Sequence, residues 1–273
     1  MDAKAFRERL SRMAADLSAC LRPYLTRRNI VNILDWLKEP ALAVGLVFVA
    51  TTAIAQPFYV PSGSMEPTLA IGDALIAAKY PYGYSRYSVR WGLAPDVAGR
   101  LFARLPARGD VVVFHPPSHL DETWVKRVIG LPGDRIQMRQ GRLFINGTKL
   151  LMTRDGAGRW ETASGTFVTV PKYLETMPNG RVHPIFKWTW DGPYDNTKVY
   201  VVPKGHLFVM GDNRDDSLDS RVAARDGGVG YVPLENVVGR ADVVLGSYDF
   251  LNAGGVIKWL EAFRASRLFT VVR

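Results

Sequence analysis

The sequence predicts a mainly β fold, an antiparallel, barrel-like sheet domain preceded by one N-terminal transmembrane α-helix. Three observations carry this. Residues 40–65 contain no charged side chain, and basic residues crowd the segment before them. Beyond them, short runs rich in Val, Ile and aromatics alternate with turn dipeptides such as Pro132-Gly133 and Asn146-Gly147. A chain of 273 residues leaves room for such a domain plus an anchor.

Residues 1–39 carry Lys4, Arg7, Arg9, Arg12, Arg22, Arg27, Arg28 and Lys38, with Phe6, Leu10, Met13, Leu17 and Leu21 at three- or four-residue steps. That spacing predicts a basic amphipathic helix on the cytoplasmic side. Residues 40–60 are expected to be the anchor. Its strongly apolar part, 41–55, would rise only about 22 Å as helix, short of the ~30 Å hydrocarbon core. Leu34, Trp36 and Leu37 upstream and residues 57–60 downstream extend it to a credible span. The preceding Lys and Arg place the N-terminus inside and the rest outside. Ala53-Ile54-Ala55 has the small-x-small form of a secretory cleavage site. A leader that long exceeds the usual ~15–30 residues, so a retained anchor is expected, protected from clipping by helical geometry.

Strands are expected at 73–79, 110–115, 123–129, 134–139, 142–146, 166–170, 198–202, 207–210 and 237–245, within a domain spanning 61–250. Asn146-Gly147 is the strongest hairpin signal. Stretches 81–108 and 150–197, rich in Gly, Pro, Trp and Arg, read as insertions or a small subdomain. Residues 251–273 read as an amphipathic helix through Val256, Ile257, Trp259, Leu260, Phe263, Leu268 and Phe269.

The net charge of +9 invites a nucleic-acid reading, but no run of five basic residues exists, and anionic lipid explains the excess without one. Nucleic acid is therefore not an expected partner; the bilayer is. Cys20 is the only cysteine and excludes an internal disulfide.

The chemistry-bearing residues form three groups. Ser62 and Ser64 lie in Pro61-Ser62-Gly63-Ser64-Met65-Glu66-Pro67, on a constrained turn just past the anchor. A serine needs a base to act as a nucleophile. His115, His119, His183 and His206 sit beside turn or strand-end residues and give a Ser-His-Asp triad no positive support. Lys126 lies in a strand where alternation puts Trp124, Lys126 and Val128 on one face. Burial of that face would lower the lysine pKa towards general-base range, whereas exposure would leave it an ordinary edge-strand lysine. Alternation does not choose between the two. The third group is Gly211-Asp212-Asn213-Arg214-Asp215-Asp216-Ser217-Leu218-Asp219-Ser220-Arg221. As a calcium loop starting at Asn213 it would need Gly at 218 and Glu at 224, where Leu218 and Ala224 stand, so calcium is rejected. Ser217 there could bond the lysine, and an Asp219–Arg221 pair could brace the loop.

Four ordered blocks, residues 61–69, 108–114 (Arg-Gly-Asp-Val-Val-Val-Phe), 126–134 (Lys-Arg-Val-Ile-Gly-Leu-Pro-Gly-Asp) and 211–221, resemble bacterial type I signal peptidase, a membrane-bound serine protease family. The resemblance implies Ser64 as nucleophile and Lys126 as general base. It implies that Ser62 helps the Ser64 N–H stabilise the oxyanion, that Ser217 positions the lysine, and that Asp219 and Arg221 support the site. It implies a catalytic domain outside the cytoplasmic membrane, in the periplasm, acting on signal-peptide-bearing preproteins cut after a small residue, with no metal or cofactor. Phe58, Val60, Met65, Leu69, Trp124 and Val125 are expected to line the substrate pocket, Val60 and Met65 foremost. Trp124 stands where a tyrosine is expected, a single span replaces two, and the catalytic domain has no cysteine. Two other readings compete: a self-cleaving repressor protease with a Ser-Lys dyad, and a non-catalytic membrane-tethered β module. The first is disfavoured by the anchor. The second requires function to survive Ser64→Ala. Oligomeric state is not readable.

Overall fold

The computed structural model describes residues 12–13, 27–89, 99–162, 166–248 and 262–272. The chain divides into two units, Met1–Val49 and Ala50–Arg273. In the first, α1 spans Arg27–Val49 with Pro40 inside it. Residues 12–13 are also helical, and residues 1–11 and 14–26 of the expected amphipathic segment 1–39 lie outside the described residues. The apolar stretch long enough to cross a membrane is Asp35–Ile54, ending in a π-helical turn at Ala50–Ile54. It differs from the expected 40–60 at both ends. Residues 55–59 are not anchor but strand.

The second unit is built from β1 (Ala55–Tyr59), β2 (Asp73–Ala78), β3 (Val111–Phe114), β4 (Trp124–Gly130), β5 (Arg135–Arg139), β6 (Arg142–Ile145) and β7 (Thr148–Lys149). There follow β8 (Leu151–Glu161), β9 (Phe167–Thr176), β10 (Val182–Phe186), β11 (Tyr200–Val201), β12 (His206–Met210), β13 (Val232–Pro233), β14 (Val237–Ser247) and β15 (Thr270–Val271). Among the described residues the main sheet has eight strands in the order β1-β2-β14-β3-β4-β12-β13, with β15 also on β14. Its pairings are antiparallel, as the turn-separated Val- and Ile-rich runs predict. β14 slips register near Val237, Ala241 and Val244. Such irregularities bend a strand, and here they curl the sheet into a half-barrel.

Curling turns one face inward. Val60, Met65, Leu69, Leu75, Val111, Val113, Val238 and Val244 are buried together there. Each buried aliphatic side chain of this size stabilises the fold by roughly 1.5–3 kcal/mol. A second core under β5 and β6 gathers Ile129, Ile136, Met138, Leu143, Ile145 and Phe208.

Two of the irregular stretches acquire definite structure. Residues 150–197 hold the three-stranded sheet β10-β9-β8. Within 81–108, Arg100 ties the chain down by donating to the carbonyls of Tyr82, Gly83, Leu234 and Val237; residues 90–98 lie outside the description. The expected C-terminal helix is not found where the tail is described. Residues 265–267 make a 3-10 turn and β15 pairs with β14, because Arg267 is drawn onto Asp73 and Val271 onto Val243. Residues 249–261 lie outside the described part.

Candidate active site

Gly63–Met65 forms a single 3-10 turn between β1 and β2. Two contacts fix it from opposite sides. Met65 is fully buried in the core, and Asn213 grips the turn from above. The Asn213 main-chain N–H donates to the Ser64 carbonyl (3.1 Å), and its side-chain amide donates to the Gly63 carbonyl (3.2 Å). Between them the Ser64 hydroxyl stays accessible. Gly211 permits this closeness: a Cβ there would lie 2.4 Å from the Ser64 carbonyl oxygen and 2.3 Å from Ser217 Oγ.

β4 delivers Lys126 to this turn. Its Nζ lies 2.5 Å from Ser64 Oγ, and the residue is only 4% exposed. Burial lowers the lysine pKa from 10.5 to about 8; Asp219 and then Asp212 oppose that fall, and Arg221 adds to it. Its neighbour Arg127, turned to the other face, is buried too. Nε donates to Asp212 Oδ1 (2.7 Å) and Nη2 to Asp212 Oδ2 (2.6 Å), while Nη1 holds the Gly109 carbonyl (2.7 Å). Thr68 Oγ1 donates to the same Asp212 carboxylate at 2.5 Å. One buried ion pair thus joins the lysine strand, the serine turn and the 211–221 loop. Paired burial holds the Asp212 carboxyl below its ordinary value through Arg127, against desolvation.

Asp219 and Arg221 form the expected pair, with Nε to Oδ1 and Nη2 to Oδ2 both 2.8 Å. The same carboxylate accepts the Gly211 N–H (3.1 Å), so the pair fixes the glycine that touches Ser64. Ser217 reaches the site but does not bond Lys126. Its Oγ is buried with no hydrogen-bond partner among the described residues, Lys126 Nζ being turned to Ser64. Ser62 Oγ stands 3.4 Å from Ser64 Oγ.

The dyad opens into a groove of about 610 Å³ walled by Phe58, Tyr59, Leu75, Val113, Trp124 and Val125, with Glu122, Asp216 and Leu218 along it. Of the residues expected to line the pocket, Phe58, Trp124 and Val125 lie on this groove. Val60, Met65 and Leu69 are not on the wall. They are at most 1% exposed and belong to the core that Leu75 and Val113 share with the wall. Among the described residues no histidine lines the groove. His183 sits instead in a buried network, its Nε2 3.6 Å from Glu175 and 4.0 Å from Asp212. Burial foremost, then Arg127, lowers its pKa to about 4.

Arg127, Asp212, Asn213 and Gly211 were not singled out from sequence, although all lie in the blocks quoted. For Gly211, Asp212 and Asn213 the signal was a dense run of charged and amide residues directly following the apolar strand β12; Arg127, in β4, had no such local signal.

The signal peptidase family model, peptidase S26, matches residues 33–246. A relative named "Signal peptidase I" from Rickettsia typhi (strain ATCC VR-144 / Wilmington) is 39% identical over 241 residues, covering 82% of this chain and 88% of its own. Another of that name from Rickettsia massiliae (strain Mtu5) is 40% identical over 233 residues, covering 79% and 84%. A solved structure, a signal peptidase I from Enterococcus faecalis V583, is 26% identical, covers 50% of this chain and 97% of its own, and has a TM-score of 0.29.

Proposed function

The chain belongs to the signal peptidase family, peptidase S26, and from that premise we propose that it removes signal peptides through an acyl-enzyme on Ser64 with Lys126 as base. The observation that carries this is the 2.5 Å approach of a buried lysine amine to a serine hydroxyl at the end of an apolar groove. Neutral Lys126 takes the Ser64 proton as Oγ adds to the scissile carbonyl. The Ser64 N–H and the Ser62 hydroxyl stabilise the resulting oxyanion. The lysine proton passes to the leaving amine, leaving an ester on Ser64. A water that gives its proton to Lys126 then hydrolyses that ester. Loss of one oxyanion donor, as in Ser62→Ala, is expected to lower kcat about 10²–10³-fold.

Substrate geometry follows from the sheet. β12 pairs with β4 only from Arg127 to Gly130, leaving the main chain of residues 124–126 open on that edge. An extended peptide can add there as a strand, the mode in which backbone bonds give affinity and pockets give specificity. The Phe58, Trp124 and Val125 walls suit small apolar side chains before the cut. The span Asp35–Ile54 serves as membrane anchor, N-terminus inside and the sheet unit outside. Ser64 follows Ile54 by ten residues, no more than roughly 35 Å of chain. Tethering to the surface from which preproteins emerge raises their effective concentration.

Cleavage of a preprotein in detergent by wild type, Ser64→Ala and Lys126→Ala tests the proposal. Both variants are expected to be inactive and folded. Retained cleavage in either would defeat it.

A further inference from the structure

Residues 211–221, the loop that grips the serine turn, carry four carboxylates, and three of them are matched by a cation. Asp212 is held by Arg127, Asp219 by Arg221, and Asp215 by Lys187 together with the main-chain N–H groups of Trp188 and Thr189. Asp216 differs. Its main-chain N–H donates to Asn213 Oδ1 (3.3 Å), but its carboxylate enters no hydrogen bond or ion pair among the described residues. It is exposed and lines the same groove as Ser64 and Lys126.

A matched ion pair presents little more than a dipole to its surroundings, whereas an unmatched carboxylate presents a full charge. The other charges near Lys126 are Asp219 with Arg221 and Asp212 with Arg127, each pair mutually bonded, and Glu122, which accepts the Trp124 indole N–H at 2.7 Å. Trp124 also places its ring 5.8 Å from Lys126 Nζ.

Resting on the dyad reading, we infer that Asp216 is a positioning residue for the cation that acylation creates on Lys126. When Ser64 adds to the carbonyl, its proton moves to Nζ, and a buried ammonium appears where desolvation disfavours it. Asp216, on the same groove, supports that charge until the proton passes to the leaving nitrogen. The positive charge is absent from the free enzyme with neutral lysine and present at the tetrahedral stage, so the effect falls on kcat more than on KM.

The experiment measures kcat and KM against pH for preprotein cleavage in detergent, using wild type, Asp216→Asn and Asp216→Glu. Asp191→Asn, an exposed acid outside the groove, serves as control. In low salt Asp216→Asn is expected to lower kcat about two- to five-fold with KM unchanged, the size of an exposed charge interaction. Its acidic limb should move to lower pH, because the protonated lysine has lost a stabilising charge. Asp216→Glu should restore both. Salt near 1 M, where the screening length is about 3 Å, should narrow the gap to wild type. Superimposable profiles for Asp216→Asn and wild type in low salt would overturn the inference. So would an equal loss in Asp216→Glu with no movement of the limb. Activity in Ser64→Ala or Lys126→Ala would instead remove the dyad premise, an outcome separable from both.

Discussion

Lys126→Met is expected to abolish cleavage and at the same time stabilise the fold at neutral pH. Lys126 is 4% exposed, and burial lowers its pKa from 10.5 to about 8. In the unfolded chain the same amine titrates near its ordinary value. Below pH 8 both states bind the proton, so the folded state carries the full penalty of a buried ammonium. At about 1.36 kcal/mol per pH unit, the fall from 10.5 to about 8 corresponds to about 3 kcal/mol. Between pH 8 and 10.5 the unfolded state binds more protons than the folded one, so wild-type stability rises with pH and the penalty fades. Methionine fills similar space with no charge to desolvate. Denaturant unfolding of both proteins in detergent, from pH 6 to 10.5, gives the difference between them and cancels groups they share. Lys126→Met should be more stable by about 3 kcal/mol up to pH 8 and equal to wild type near pH 10.5. A variant less stable than wild type at pH 7, or a difference that does not shrink as pH rises, would refute the reasoning.

Three further outcomes are expected. Removing one partner of the Asp219–Arg221 pair leaves a buried charge unmatched, so Asp219→Asn and Arg221→Met should each destabilise by about 3–5 kcal/mol and the double variant by less than their sum, read from unfolding midpoints. Gly211→Ala would put a methyl carbon 2.4 Å from the Ser64 carbonyl oxygen, so the serine turn must shift: kcat should fall at least about 10²-fold, and stability should drop by about 1–3 kcal/mol, read from unfolding midpoints. The small-x-small site at residues 53–55 should resist self-cleavage. Tyr84 donates to the Ala53 carbonyl (2.6 Å), the Lys79 N–H donates to the Ile54 carbonyl (2.9 Å), and Ala55 pairs with Ala78. N-terminal sequencing of stored protein would contradict this by finding chains that begin at Gln56. The protection differs from the expected one, since strand pairing replaces membrane helix at Ala55.

The strands with plain period-two or Val-rich patterning were legible, and all nine expected runs overlap observed strands. β1 was not, because Ala55-Gln56-Pro57-Phe58-Tyr59 continues an apolar run without a break and reads as the end of the span. β8 was hidden by Arg154, Asp155, Gly156 and Gly158, which read as loop in isolation but pair along β9. Alternation could not tell which face of β4 is buried, since Lys126, Arg127, Val128 and Ile129 are all buried and the strand is covered on both sides. Only the family resemblance brought Lys126 to Ser64 in the sequence reading. Apolar neighbours of a serine do not reveal whether they face a groove or a core, which is why Val60, Met65 and Leu69 were expected on the wall. Asp212 and Arg127 lie 85 positions apart, and no local pattern links them.

The whole account turns on the charge state of one amine. NMR titration of ¹³C-labelled lysines in the detergent-solubilised full chain, with Lys126→Met to assign the resonance, reads it directly. One lysine should titrate near pH 8, and its signal should be missing from the variant. A Lys126 resonance titrating near 10.4, with the bulk of the lysines, would leave Ser64 without a base at neutral pH and contradict the account.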